Sequence, residues 1–141
     1  MRCGAFSWPT QNADLSRDQN DASVLLKDAP QGDYTVETKL TIDLGEDTDR
    51  SYQQAGLVTY ADDDNYTKLV HVAIGSGRRT EFAKEEAGAY GGMMVGPPAA
   101  TTWLRITHHV DPDMASTSIA RRQVVTASTG FGEGVGRSLQ G

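Results

Sequence analysis

The segment Gln53-Gln54-Ala55-Gly56-Leu57-Val58-Thr59-Tyr60-Ala61-Asp62-Asp63-Asp64-Asn65-Tyr66-Thr67-Lys68-Leu69-Val70-His71 decides the fold. It reads as a strand, a tight acidic turn and a returning strand. Tyr52 to Ala61 forms the outgoing strand and Asn65 to Ile74 the return. The Asp62-Asp63-Asp64-Asn65 run between them suits a hairpin, because Asp and Asn side chains cap turns and tolerate left-handed backbone.

The flanking sequence extends the β pattern. From Asp33 to Leu44, the residues Tyr34, Val36, Thr38, Leu40, Ile42 and Leu44 alternate with Thr35, Glu37, Lys39, Thr41 and Asp43. A period of two with one mostly apolar face marks a long half-buried strand. Ala22 to Lys27 is a short apolar run ending in the turn cluster Asp28-Ala29-Pro30-Gln31-Gly32-Asp33. The reading makes that run an antiparallel neighbour of the long strand. Gly45 to Arg50 reads as a polar loop and Gly75-Ser76-Gly77 as a turn. Arg78 to Glu86 reads as a strand, Ala87 to Ala100 as a loop rich in Gly, Pro and Met, and Thr102 to His109 as a further strand. Short strands joined by Gly, Asp and Pro turns, with no long helical pattern, give an all-β sandwich.

Composition narrows the function. The chain has 141 residues, a net charge of -6 and one cysteine, Cys3. One domain is the most such a length supports. An acidic balance argues against nucleic-acid binding, because phosphate recognition needs a basic face. No apolar run approaches the roughly 20 residues that span a bilayer, so no membrane is expected either. Met1 to Pro9 lacks the apolar stretch of a signal peptide. A single cysteine excludes an intrachain disulfide and a cysteine metal cluster.

The opening segment also resembles part of the C-terminal concanavalin A-like (jelly-roll) β-sandwich of family 43 glycoside hydrolases, the β-xylosidases and α-arabinofuranosidases. The resemblance runs from about Gly4 to Asp113. It is carried further by Trp8 to Leu15, Asn20 to Leu26, Gly32 to Lys39, Tyr90 to Pro98 and Thr102 to Thr107, in that order and spacing. It implies an antiparallel sandwich over 1–113, a non-catalytic accessory role in xylan or arabinan breakdown, and a catalytic β-propeller as partner. A bacterial parent enzyme, secreted or cytoplasmic, is implied, with plant cell-wall polysaccharide as the substrate. Family members carry one more strand before the Gly-Ala-x-x-Trp segment, and a propeller before that. Met1 is therefore expected to fall inside the domain, and the sandwich to be incomplete.

Residues 114–141 depart from the family pattern. Met114 to Gly141 has no sustained alternation, one aromatic residue (Phe131) and a Gly-rich end, so it reads as an irregular, poorly ordered tail. Ile119 to Val125 is at most a weak strand. Back-translating the tail with permitted codons and regrouping the bases gives Gly-Glu-His-Glu-Tyr-Arg-Ala-Ala-Thr-Ser-Arg-Asp-Gly-Glu-His-Trp, with no stop codon. That peptide resembles the family's next strand. A frameshift near codon 113 is the resulting expectation. It would leave a sandwich with an exposed apolar face and unpaired edges, prone to aggregate.

Sugar recognition needs aromatic platforms and planar polar side chains. Gln54, Tyr60, Tyr66, Lys68, Glu81, Trp103 and Arg105 are the candidates. Gln54 shares a strand parity with Tyr60, Tyr66 with Lys68, and Trp103 with Arg105. Asp62 and Asp64 offer a calcium site as an alternative to a plain hairpin turn, and no other cofactor is expected. Glu81, Glu85 and Glu86 are weighed as a glycosidase carboxylate pair and read as surface charge. His108 and His109 point to opposite faces and are poorly placed to share a metal. His71 reads as a packed or hydrogen-bonded residue. No catalytic residue is assigned. A stand-alone carbohydrate-binding module and a non-functional pseudogene product are the alternative readings.

Overall fold

A computed structural model describes residues 7–8, 13–17, 19–45, 51–75, 77–97, 100–110, 122–128 and 139–140. Its strands are β1 (Ser7–Trp8), β2 (Leu15–Ser16), β3 (Gln19–Asn20), β4 (Ser23–Asp28), β5 (Tyr34–Thr41) and β6 (Gln54–Asp62). They continue with β7 (Asn65–Ile74), β8 (Gly77–Glu86), β9 (Ala89–Gly96), β10 (Thr101–His108), β11 (Arg122–Ser128) and β12 (Leu139–Gln140). One sheet runs β1-β12-β5-β10 and a larger one β4-β11-β6-β7-β8-β9. β2 and β3 form a small ribbon of their own. Every pairing is antiparallel. Among the described residues the fold is all-β, as the alternation requires.

The main core lies between the two sheets. Leu40, Leu104 and Ile106 of the smaller sheet, with Ile42 and Leu44 just past the end of β5, pack against Ala55, Leu57 and Ala73 of the larger, with Val36 and Leu69 alongside. The period-two pattern of β5 therefore buries the face it was read to bury. Gly56 allows the closest approach inside the larger sheet. A Cβ there would run into the Leu69 carbonyl and stand 2.7 Å from the Val70 Cα.

The β6–β7 hairpin turns where the acidic run lies, but not by left-handed backbone. Neither Asp63 nor Asp64 has a positive φ. Instead the register slips between Tyr60 and Asp62, leaving Ala61 as a bulge. Asp62 Oδ1 accepts from Asp64 N at 3.0 Å and Asn65 Nδ2 at 2.8 Å, closing the turn.

Three sequence expectations need correction. β4 and β5 are not paired, since they belong to different sheets and the Ala29–Asp33 connection crosses between layers. A turn cluster limits where a chain reverses, not whether it returns to the same sheet. The segment 87–100 is not all loop: Ala89–Gly96 is β9, paired with β8. Ala87 and Gly88 have φ of 50° and 76°, so they make a two-residue turn of the primed kind that hairpins favour. The signal was present in Ala87-Gly88, hidden by the glycines and methionines that follow. Finally, the strand in the tail runs over Arg122–Ser128, between β4 and β6, where 119–125 was read as a weak strand at most. Two unpaired strand edges supply backbone partners on both sides, and that demand does not depend on side-chain alternation. The loop at 46–50, Ser76, Cys3 and the boundary at 113 lie outside the described residues.

Candidate functional site

The outward face of the larger sheet carries an unusual density of buried polar side chains. Register places Tyr60, Tyr66 and Glu85 in one row and Val58, Lys68 and Ala83 in the next; Val70 and Glu81 pair in the third, and Gln54 lies farther along β6. Tyr90 and Gly92 of β9 continue the first two rows. Gln54, Tyr66, Lys68, Glu81 and Glu85 are all buried, Glu85 to 1 % exposure. Burying so many polar groups costs stability unless each finds a partner.

For all of these but Glu81, partners come from the chain's own segment 13–17. Lys68 Nζ donates to the Leu15 carbonyl at 2.9 Å, and Tyr66 Oη donates to the same oxygen at 3.0 Å. Tyr66 Oη also lies 2.7 Å from Glu85 Oε2, which accepts from Arg17 N at 3.0 Å. Gln54 Nε2 donates to Asp14 Oδ1 at 3.0 Å. Leu15 then packs on Val58 and Tyr66 as a second small core, with Ala22, Val24 and Tyr60 beside it. Arg17 adopts a left-handed φ of 53° as the strap reverses.

Electrostatics follow from that enclosure. Burial pulls the Lys68 ammonium below its ordinary value, opposed by the carboxylates of Asp14, Glu81 and Glu85. Burial likewise raises Asp14, with Lys68 working the other way. Tyr66 and Tyr90 are pushed upward, first by burial and then by Glu85 and Glu81 respectively. The Lys68 ammonium stands 5.2 Å from the Tyr90 ring centre, and Tyr90 Oη donates to Glu81 Oε1 at 3.3 Å. Gly92 makes room for that carboxylate: a Cβ would sit 3.3 Å from Glu81 Cδ. Tyr60 is pushed up to about 12 by burial and by the hydrogen bond it donates to Asp63 Oδ1.

Five of the seven sugar-contact candidates, Gln54, Tyr60, Tyr66, Lys68 and Glu81, thus share this face. Trp103 and Arg105 stand on the outward face of the other sheet, Trp103 being 63 % exposed. Arg105 Nε donates to Glu37 Oε2 at 2.6 Å across the β5–β10 ladder. Thr35–Thr107 and Thr41–Thr101 hydroxyl pairs flank it at 3.1 and 3.0 Å. The two groups of candidates do not form one surface.

Glu81 and Glu85, read from the sequence as surface charge, are buried instead, Glu81 beside Tyr90 and Glu85 beside Tyr66 and Arg17. Glu81 and Glu85 are four residues apart on β8, about 13 Å at a strand's rise per residue. The two carboxyls of a glycosidase pair stand roughly 5–10 Å apart. Glu86 pairs with Lys84 at 2.6 Å. His71 is buried, with Nδ1 2.8 Å from Thr80 Oγ1. Thr80 gives its hydroxyl proton to the Pro97 carbonyl at 3.0 Å, so Nδ1 carries the imidazole proton. His109 Nδ1 meets Asp33 Oδ2 at 3.0 Å, and the His108 ring lies 4.9 Å from that of Tyr34. Among the described residues no three His, Cys, Asp or Glu side chains converge to hold a metal ion. The carboxylate of Asp62 is committed to its own turn.

A two-layer antiparallel β-sandwich with a strap closed over one sheet is the class these observations define. The fold is that of part of a larger protein of known structure. The GH43 protein BlXynB of Bacillus licheniformis, solved as a mutant, superposes with a TM-score of 0.70 at 16 % sequence identity. The match covers 99 % of this chain and 32 % of that one, so this chain spans about a third of the length of the structure it resembles. No family model matches the sequence, and no curated protein matches it either.

Proposed function

We propose that this chain is the non-catalytic accessory sandwich of a xylan- or arabinan-degrading glycoside hydrolase, packing against a catalytic β-propeller. The observation that carries the reading is the extent of the fold match: nearly all of this chain against a third of a GH43 protein. The carboxylate spacing on β8 supports a supporting role rather than bond cleavage. β9 supports a docked neighbour, because Met93, Met94 and Val95 stand 61, 47 and 49 % exposed on a sheet edge. The purified chain should release no sugar from an aryl xyloside or aryl arabinofuranoside. Turnover by the chain alone would refute the accessory role.

We infer further that the codons after about Asp113 are read out of their original frame. The regrouped peptide supports this. So does the inward side of β8 and β9, where Phe82 and its cross-strand neighbour Met93 remain exposed beyond the edge of β10. Sequencing the DNA from the Leu104 codon past Gly141, and upstream of Met1, tests both readings. A single gained or lost base, with a propeller frame upstream, is the expected result. An intact frame would instead make the chain a stand-alone module.

A further inference from the structure

We propose that the open end of the sandwich, between the two sheets, is a binding site for a neutral glycosyl unit. This rests on the carbohydrate reading above but involves residues that reading did not select. The ends of β5, β6, β7, β8 and β10 meet there around a cavity of about 300 Å³. That is the lower end of the range for ligand pockets, roughly 300–1,000 Å³. Its lining combines the two surfaces a sugar ring presents. Tyr34 and His108 contribute an aromatic wall, their rings 4.9 Å apart and tilted by 31°. Such a wall suits the C–H face of a pyranose or furanose.

The polar side is made of groups matched to hydroxyls. Thr59 Oγ1 and Thr67 Oγ1 lie 2.5 Å apart, so one hydroxyl proton is held between them. The other proton and the remaining lone pairs are left for a ligand. Lys84 and Glu86 stand at the rim as an ion pair at 2.6 Å, with side chains 53 and 67 % exposed. An adjacent ammonium and carboxylate can serve two neighbouring hydroxyls of a vicinal diol, one as donor and one as acceptor. Because the pair is neutral, it favours an uncharged sugar over an anion.

Titration of the full chain with xylotriose and arabinotriose, followed by calorimetry and backbone NMR shifts, tests the site. Shifts are expected at Thr59, Thr67 and His108. Thr67→Val, which keeps the side-chain shape and removes the hydroxyl, should weaken binding by about fivefold, the worth of one net hydrogen bond. Lys84→Met changes an exposed side chain that the fold does not need, and should weaken binding similarly. Trp103→Ala, on the outward face of the β5–β10 sheet and outside the cavity lining, should leave affinity unchanged. Binding that survives both pocket variants but is lost with Trp103→Ala would overturn the proposal, as would no binding of either sugar. The accessory-domain reading is judged separately, by the aryl glycoside assay and the upstream DNA.

Discussion

Lys68 is the residue on which the strap depends. It is 3 % exposed, faces three carboxylates and holds the Leu15 carbonyl. Removing one partner of a buried charge cluster costs about 3–5 kcal/mol, because the groups left behind remain desolvated. Lys68→Met should therefore destabilise the fold by about 3 kcal/mol in urea unfolding, with earlier amide exchange at 14–17. A midpoint within error of the parent chain would contradict the strap's role. His71 gives a pH signature. Burial holds its imidazole below the ordinary value. The unfolded chain takes up a proton near pH 6.5 while the folded chain does not. Its contribution is therefore complete above that pH and is lost as pH falls toward the folded value. Compared with the parent chain, His71→Gln should cost most at pH 7 and less at pH 5. A penalty constant across that range would remove the argument.

At the scale of elements, the hairpins show how the same reversal is reached by different chemistry. The β6–β7 turn uses Asp62 as a side-chain cap and a bulge at Ala61. The β8–β9 turn uses left-handed backbone at Ala87 and Gly88. Left-handed conformation costs an ordinary L-residue roughly 1–2 kcal/mol, and Asn less than most. Ala87→Asn should accordingly raise thermal stability, by about 0.5–1 kcal/mol at the midpoint. Unchanged or lower stability would show that the Ala87 N–H bond to Asn65 Oδ1, at 3.1 Å, is sensitive to side chains placed there. β5 and the β6–β7 pair were legible because alternation and acidic turn residues are local signals. β9 was not, because glycine and methionine carry no alternation and its pairing is supplied by β8.

At the scale of the molecule, two unequal layers leave β9 as an apolar edge. An unpaired edge strand without charges is a template for self-association. Met93→Lys, on that edge, should raise the concentration at which the chain stays monomeric, as read by light scattering. No change would place the association elsewhere. The site proposed at the sandwich mouth also exists only at this scale. Tyr34, Thr67, Lys84 and His108 are scattered over four strands, and no spacing in the sequence links them.

The sequence determined by itself what depends on neighbours along the chain. That comprises the β class, the buried face of β5, the shared parities of Tyr66 with Lys68 and Trp103 with Arg105, and the position of the acidic turn. Tertiary structure alone decided the sheet to which each strand belongs, since backbone hydrogen bonds are indifferent to sequence distance. It also decided which polar residues are buried. Glu85 reads as surface charge until segment 13–17 is laid against it, because burial is a property of what covers a residue and not of the residue.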